Sequence, residues 1–337
     1  MIPLLSARDL KKVYRSRRGR LQAVSGVSFD IFPGEVLGLV GESGCGKSTV
    51  AKMLMRLTEP SSGEITFSGQ DLLAIPKRRL PPIRQQIQMV FQDPHAALNP
   101  RMSIRDAIAE PLDIHRLAKG REREARILEL LSLVGLRPDC LERYPHEFSG
   151  GQRQRIGIAR ALASNPRFLI CDEPVSALDL SIQAQVIRLL QRLQQEMALT
   201  YLFITHNLDV VRLISNRVGV MYLGQLVEIA STEKLFATPL HPYTRALLSA
   251  IPIADPVAER KRSRIVLPGE PPSALAPPSG CRFHTRCPMA TKRCRIERPK
   301  WIEMGGGHKV ACHLYQQEGA LVQISPYSPP NAPVGDT

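Results

Sequence analysis

Apolar and polar positions alternate in short runs over residues 4–38. Val24, Val27, Phe29 and Ile31 carry the apolar side and Pro33-Gly34 punctuates it, which predicts short strands joined by turns. Val36 to Val40 is apolar without a charge, the pattern of a strand buried on both faces. A glycine-rich turn follows, then a helical pattern from Lys47 to about Leu57. Residues 63–92 return to strands and turns and close on the apolar run Ile87 to Phe91. The period lengthens over 103–145, where the charged run Arg121 to Arg126 opens an amphipathic helix expected to bury Ile127, Leu130, Leu131 and Val134. Further helices are predicted at about 151–164 and 181–197, and further buried strands at Phe168 to Cys171 and Tyr201 to Thr205. Strand and helix alternate, so an α/β core around a mostly parallel sheet is expected.

After about residue 240 the texture changes. Prolines crowd 252–278 and 325–333, and regular periodicity fades. The expected division is a main domain over 1–240, a small appended module over 241–320, and a loose tail over 321–337. No internal repeat is visible.

Composition adds little to this and excludes some classes. With 43% hydrophobic and 23% charged residues among 337, the chain reads as an ordinary soluble globular protein. No apolar run approaches the roughly 20 residues that cross a bilayer; the longest, Ala246 to Ala254, is interrupted by Pro252. Met1 to Leu5 is too short for a signal h-region, so a cytosolic location is expected. The net charge of +14 is concentrated at two places. Residues 1–20 hold seven basic residues against one acid, and residues 245–310 hold thirteen against five. Such patches suit a nucleic-acid surface, an anionic membrane or simple solvated faces, and charge alone does not choose among them. Seven cysteines in a reducing compartment argue against a disulfide framework.

Candidate chemistry starts at Gly41-Glu42-Ser43-Gly44-Cys45-Gly46-Lys47-Ser48, followed by Thr49. It lies between a buried strand and a helix, the context in which this spacing wraps backbone N–H groups around phosphate oxygens. Lys47 would reach the β- and γ-phosphates and the Ser48 hydroxyl would ligate Mg²⁺. A thiol at Cys45, near a helix N-terminus and Lys47, is expected to have some thiolate character. Asp172 and Glu173 end a buried strand about 125 residues further on, where Asp172 can hold Mg²⁺ through water and Glu173 can act as general base. Ser149-Gly150-Gly151-Gln152, opening a helix, makes a second anion cradle. It cannot serve phosphates already wrapped on the same chain, so a second subunit is implied.

At Phe148-Ser149-Gly150-Gly151-Gln152 the sequence resembles the ABC ATPase family, with Phe for the commoner leading Leu, and the resemblance extends over residues 4–320. It implies a RecA-like phosphate-loop core with an antiparallel β subdomain and a helical subdomain at about 95–160. By the same resemblance Tyr14 stacks on adenine and Gln92 senses Mg²⁺ and the attacking water. Ser176 and Asp179 lie in a loop at the dimer interface, and His206 contacts the γ-phosphate. No catalytic element is degenerate, so hydrolysis as well as binding of ATP is expected.

Leu98-Asn99-Pro100-Arg101, His241-Pro242-Tyr243-Thr244 and the cluster Cys281, Cys287, Cys294, Cys312 look like the second ATPase of bacterial dipeptide and oligopeptide permeases. The resemblance implies a sister ATPase and two permease subunits, the latter docking on residues 93–115. It also implies an external peptide-binding protein and a peripheral position on the cytoplasmic face of the inner membrane. Related importers of nickel, opines, antimicrobial peptides or oligosaccharides remain open. An ABC ATPase acting on nucleic acid is disfavoured, because the chain has no second nucleotide domain, coiled-coil insertion or CxxC pair.

The four clustered cysteines are spaced too irregularly for short zinc knuckles. A [4Fe–4S] cluster, zinc and a metal-free module are the readings, and the family resemblance points to iron–sulfur. Arg282, Arg286, Lys292, Arg293 and Arg295 are expected to offset cluster charge. The module is far in sequence from the ATP residues, so a structural role is expected for it.

Overall fold

The computed structural model describes residues 2–17, 19–93, 97–252, 255, 260 and 264–316; the expected tail and Pro94 lie outside them. Two sheets and a helical layer make up the fold. Strands β1 (Leu5–Ser16), β2 (Gly19–Ile31), β4 (Ser62–Phe67) and β5 (Gln70–Asp71) form an antiparallel sheet in the order β2-β1-β4-β5. Its first two strands are 12 and 13 residues long, so residues 4–31 form two long strands rather than several short ones.

The second sheet has eight strands in the order β11-β12-β10-β9-β3-β8-β7-β6. At its centre β3 (Val36–Val40), β8 (Thr200–Thr205), β7 (Phe168–Asp172), β6 (Ile87–Val90) and β9 (Arg217–Tyr222) run parallel. Every residue of β3, β7 and β8 is buried, Asp172 at the end of β7 included, as their apolar runs require of strands covered on both faces. The antiparallel hairpin partner β10 (Gln225–Ser231) and the short strands β11 (Ile302–Glu303) and β12 (Lys309–Val310) extend this sheet. Residues of the expected C-terminal module therefore continue the main sheet.

Helix α1 (Lys47–Leu54) follows β3, and α2 (Pro81–Gln86) precedes β6. The helical layer holds α3 (Ile104–His115), α4 (Gly120–Leu133) and α5 (Gly150–Leu162), packed with α6 (Leu180–Glu196) in one core. Ser103 caps α3 by accepting from the Asp106 amide at 3.2 Å. The amphipathic face expected for α4 is realised: Ile127, Leu130, Leu131 and Val134 are fully buried. The stretch 103–145 is less continuously helical than its pattern suggests, because Pro138 and Pro145 open 3₁₀ turns in place of longer helices.

Helix α7 (Leu208–Ile214) leads from β8 to β9, and α8 (Thr232–Ala237), α9 (Pro242–Ser249) and α10 (Lys292–Ile296) follow among the described residues. A third core joins the two ends of this region. Tyr222, Tyr243 and Phe283 meet there, with ring centroids 4.7, 5.1 and 5.4 Å apart. None of the described helices is long and apolar enough to cross a membrane.

Candidate functional site

The loop after β3 is shaped by its glycines. Gly41 has φ 154°, and a Cβ there would sit 2.2 Å from the Met221 carbonyl oxygen. At Gly46, with φ 107°, a Cβ would meet the Ala23 carbonyl oxygen at 2.3 Å. Any side chain at either position would push the loop off β9 or β2. Lys47, 4% exposed, donates from Nζ to the carbonyl oxygens of Gly41 and Glu42 at 2.8 and 3.1 Å. The loop thus encircles its own lysine. Ser43 and Gly44 are exposed at the rim, and Thr49 is half-buried in the first turn of α1.

Asp172 ends β7, two strands from β3, because β8 lies between them. Its Oδ1 accepts from the Ser48 hydroxyl at 3.0 Å, so the two groups expected on Mg²⁺ already touch. Burial pushes the Asp172 carboxyl above its ordinary pKa, and the Ser48 hydrogen bond opposes this. A bound cation at that point would favour the charged form.

Glu173 adopts φ +47°, a left-handed conformation rare for a residue with a side chain. Its amide donates to the Ile204 carbonyl oxygen at 2.9 Å, which holds the strained turn against β8. The side chain, 12% exposed, meets two partners from different strand ends. Gln92 Nε2 donates to Glu173 Oε2 at 2.9 Å, and His206 Nδ1 lies 3.4 Å from the same oxygen. Gln92 follows β6 and His206 follows β8. Two residues 114 positions apart in sequence, Gln92 and His206, thus converge on the Glu173 carboxylate.

Tyr14 stands on β1, paired with Leu21 of β2 two positions before Ala23, whose oxygen abuts Gly46. The register therefore puts the tyrosine on the antiparallel sheet near the mouth of the loop. Its ring is half-buried, with Lys12 Nζ 5.0 Å from the centroid.

The glycine pair opening α5 is explained by packing. Ser149 Oγ accepts from the Gln152 amide at 3.3 Å while Gln152 Oε1 accepts from the Ser149 amide at 3.0 Å, a reciprocal capping box. A Cβ at Gly151 would sit 2.4 Å from Ile182 Cγ2, and one at Gly150 would sit 3.3 Å from Leu178 Cδ2. Ser176 donates to the Glu173 carbonyl oxygen at 3.1 Å, and Asp179 caps α6 without a side-chain bond. Beside Asp179, the side chain of Leu180 is 80% exposed.

Two expectations are corrected. Cys45 is 5% exposed, and burial outweighs Lys47, so its thiol is pushed up and holds its proton. The cysteine-bearing segment is also close to the nucleotide loop in space. Arg286 pairs with Glu42, its Nη1 lying 3.0 Å from each carboxylate oxygen, and the Tyr243 hydroxyl accepts from the Glu42 amide at 3.0 Å. Arg282 donates to the Leu223 carbonyl oxygen and to Gln22 Oε1, and Arg293 pairs with Glu297. Three of the five cations expected to balance a cluster therefore have other partners.

Cys281, Cys287, Cys294 and Cys312 are unpaired thiols within electrostatic reach of one another. Burial first, then mutual repulsion, pushes Cys281 to about 11 and Cys312 to about 12. Among the described residues no set of three or more His, Cys, Asp or Glu side chains is placed to hold a metal ion. The metal expectation gains no support from this geometry.

A phosphate loop after the central strand β3, with Asp172 and Glu173 at the end of β7 two strands away, defines a nucleoside-triphosphatase of the phosphate-loop class. Known proteins narrow this. Residues 24–176 match the family described as ABC transporter, and residues 227–294 match "Oligopeptide/dipeptide transporter, C-terminal region". The chain is 54% identical over 319 residues to the putative oligopeptide transport ATP-binding protein YkfD of Bacillus subtilis, covering 94% of this chain and 96% of that protein. It is 54% identical over 320 residues to the oligopeptide transport ATP-binding protein AppF of the same organism, covering 93% and 97%. The dimeric bacterial ABC transporter cassette MJ0796 is similar in structure, with TM-score 0.63 and 29% identity over 68% of this chain and 98% of that one. The chain belongs to the ABC transporter ATP-binding proteins, in the branch that carries the oligopeptide/dipeptide transporter C-terminal region. It is an ABC-type ATPase, and ATP with Mg²⁺ is what this family works on.

Proposed function

We propose that this ATPase energises the import of di- and oligopeptides, paired with a sister ATPase beneath two permease subunits on the cytoplasmic face of the membrane. An external peptide-binding protein would deliver the substrate. One observation carries the reading: a complete catalytic set, Lys47, Ser48, Gln92, Asp172, Glu173 and His206, occurs in a chain 54% identical to proteins named for oligopeptide transport.

In this reading residues 41–49 hold the triphosphate and Tyr14 faces the adenine. Ser48 and Asp172, with Gln92, would hold Mg²⁺, which neutralises charge on the β- and γ-phosphates when bound. Glu173 accepts the proton of the attacking water, held in line by Gln92, while His206 contacts the γ-phosphate. Ser149 to Gln152 stand at the start of α5, on another element, and cap the partner's nucleotide. The exposed Leu180 beside Asp179 supports a subunit boundary there. Residues 93–115, of which 94–96 lie outside the described structure, form the proposed permease-docking face.

The four thiols suit a [4Fe–4S] cluster in donor chemistry, being soft and unpaired. Zinc is the alternative ligand. A cluster would brace the segment between Cys281 and Cys312. Anaerobically purified protein with broad absorbance near 400 nm and about four irons per chain supports iron–sulfur; colourless protein with one zinc rejects it.

The import proposal is tested in cells lacking this gene. Labelled tripeptide uptake should return with the parent chain and stay absent with Glu173→Gln. Uptake restored equally by both would overturn the proposal.

A further inference from the structure

The phosphate loop carries a carboxylate where anions must bind. Glu42 is the second residue of the loop, and its charge opposes the triphosphate the loop encircles. The structure answers this from far along the chain. Arg286 Nη1 lies 3.0 Å from both Glu42 carboxylate oxygens, and its side chain is only 9% exposed, against 28% for Glu42. The Glu42 amide is held as well, donating to the Tyr243 hydroxyl at 3.0 Å. Tyr243 is fixed in turn by Tyr222 and Phe283. The Glu42 carbonyl oxygen accepts from Lys47 Nζ at 3.1 Å, so side chain, amide and carbonyl of one residue are all engaged.

The hairpin behind the loop is gripped from the same segment. Gly224 donates to the Cys45 carbonyl oxygen at 2.8 Å, and the preceding Leu223 carbonyl oxygen accepts from Arg282. Arg282 follows Cys281 and Arg286 precedes Cys287, so both arginines are anchored beside the thiols.

We propose that Arg286 is a positioning residue for ATP: it neutralises and orients Glu42 inside the phosphate loop and thereby sets nucleotide affinity. Without the guanidinium, a half-buried carboxylate is left uncompensated within the loop and repels the incoming phosphates. Chemistry at Glu173 stays intact, because Arg286 bonds to Glu42 and the Pro268 carbonyl oxygen and not to Glu173. Affinity and KM are the quantities it controls, while kcat depends on residues elsewhere.

This inference rests on residues 41–48 being the ATP loop, and the experiment separates the two. MgATP binding is measured by calorimetry on the full chain for the parent, for Arg286→Ala and for the double variant Glu42→Gln/Arg286→Ala. The parent should bind, and Arg286→Ala should raise Kd about tenfold or more, as expected for an unpaired charge beside a phosphate site. The double variant should recover to within about threefold of the parent, since the repelling charge is gone. In the assembled transporter Arg286→Ala should raise KM with kcat within about twofold. Arg286→Ala binding as tightly as the parent would overturn the inference. So would a double variant as weak as the single one, which would mark a loss of fold instead of a loss of charge compensation. A parent chain that binds no MgATP would overturn the loop assignment itself.

Discussion

The nucleotide end of the molecule and its C-terminal face are both packed against the same sheet, yet they are built on different principles. At the nucleotide end, position along the backbone decides function. Residues stand at the ends of buried parallel strands, and Gly41, Gly46 and Gly151 occur where any Cβ would strike a neighbour. At the C-terminal face, side chains from distant parts of the chain decide it: Arg286 with Glu42, Tyr243 with the Glu42 amide, His308 with Glu228 at 2.7 Å. The first kind of site is set by local sequence, the second by tertiary contact. Perturbing each should therefore fail in a different way, one in turnover and the other in stability and affinity.

The largest effect is expected at the nucleotide end. Glu173→Gln removes the carboxylate on which Gln92 and His206 converge, and turnover in the assembled transporter should fall by about 10²–10⁴. MgATP binding should persist, and that separation of binding from hydrolysis is what a backbone-set catalytic site predicts. Unchanged steady-state hydrolysis would reject it.

At the C-terminal face the expected signature is a pH dependence of stability. His241 is 1% exposed and accepts from the Tyr243 amide through Nδ1 at 3.1 Å. Burial lowers its pKa from 6.5 to about 4, so the folded chain keeps it neutral. Above pH 6.5 neither state binds this proton and nothing is lost. As pH falls from 6.5 towards 4 the unfolded chain binds it and the folded chain does not, so stability declines, by about 3 kcal/mol at most from this group. His241→Asn keeps a cap acceptor and should flatten that part of the stability–pH curve, read by urea unfolding at pH 7 and 4.5. Identical slopes for both proteins would show that the histidine is not held neutral.

A smaller effect is expected where the two principles meet, at α5. Gly151→Ala places a methyl 2.4 Å from Ile182 Cγ2, so α5 or α6 must shift, at a cost of about 1–3 kcal/mol. Calorimetric melting of the single chain measures it. A variant as stable as the parent would mean that the glycine pair is there only for an incoming nucleotide.

This contrast also explains what could be read from sequence. The apolar runs of β3, β7 and β8 announce buried parallel strands, and the phosphate loop and Asp172-Glu173 follow from their flanks. Residues 207–240 carry no strand or helix expectation, although α7, β9, β10 and α8 lie there, because Arg217 opens β9 and Glu228 sits within β10, breaking the uncharged apolar run that marks β3. The proximity of Cys45 to Lys47 is visible in sequence, and its burial, which decides the thiol's protonation, is not. The cysteine segment lies far in sequence from the ATP residues, 244 positions separating Arg286 from Glu42, and tertiary packing, that of Tyr222, Tyr243 and Phe283 included, closes that distance. His241-Pro242-Tyr243-Thr244 was visible as a motif, but its contact with the loop has no local signature.

In the proposed function this chain supplies one catalytic half whose nucleotide is capped by the signature turn of a partner subunit. ATP turnover per chain, followed across a wide dilution series for the isolated protein and for the protein reconstituted with its sister ATPase and permeases, tests that most directly. Hydrolysis by the isolated chain is expected to be slow and to fall further on dilution, with a large rise on assembly. Full-rate hydrolysis by the isolated monomer, unchanged by dilution, would contradict it.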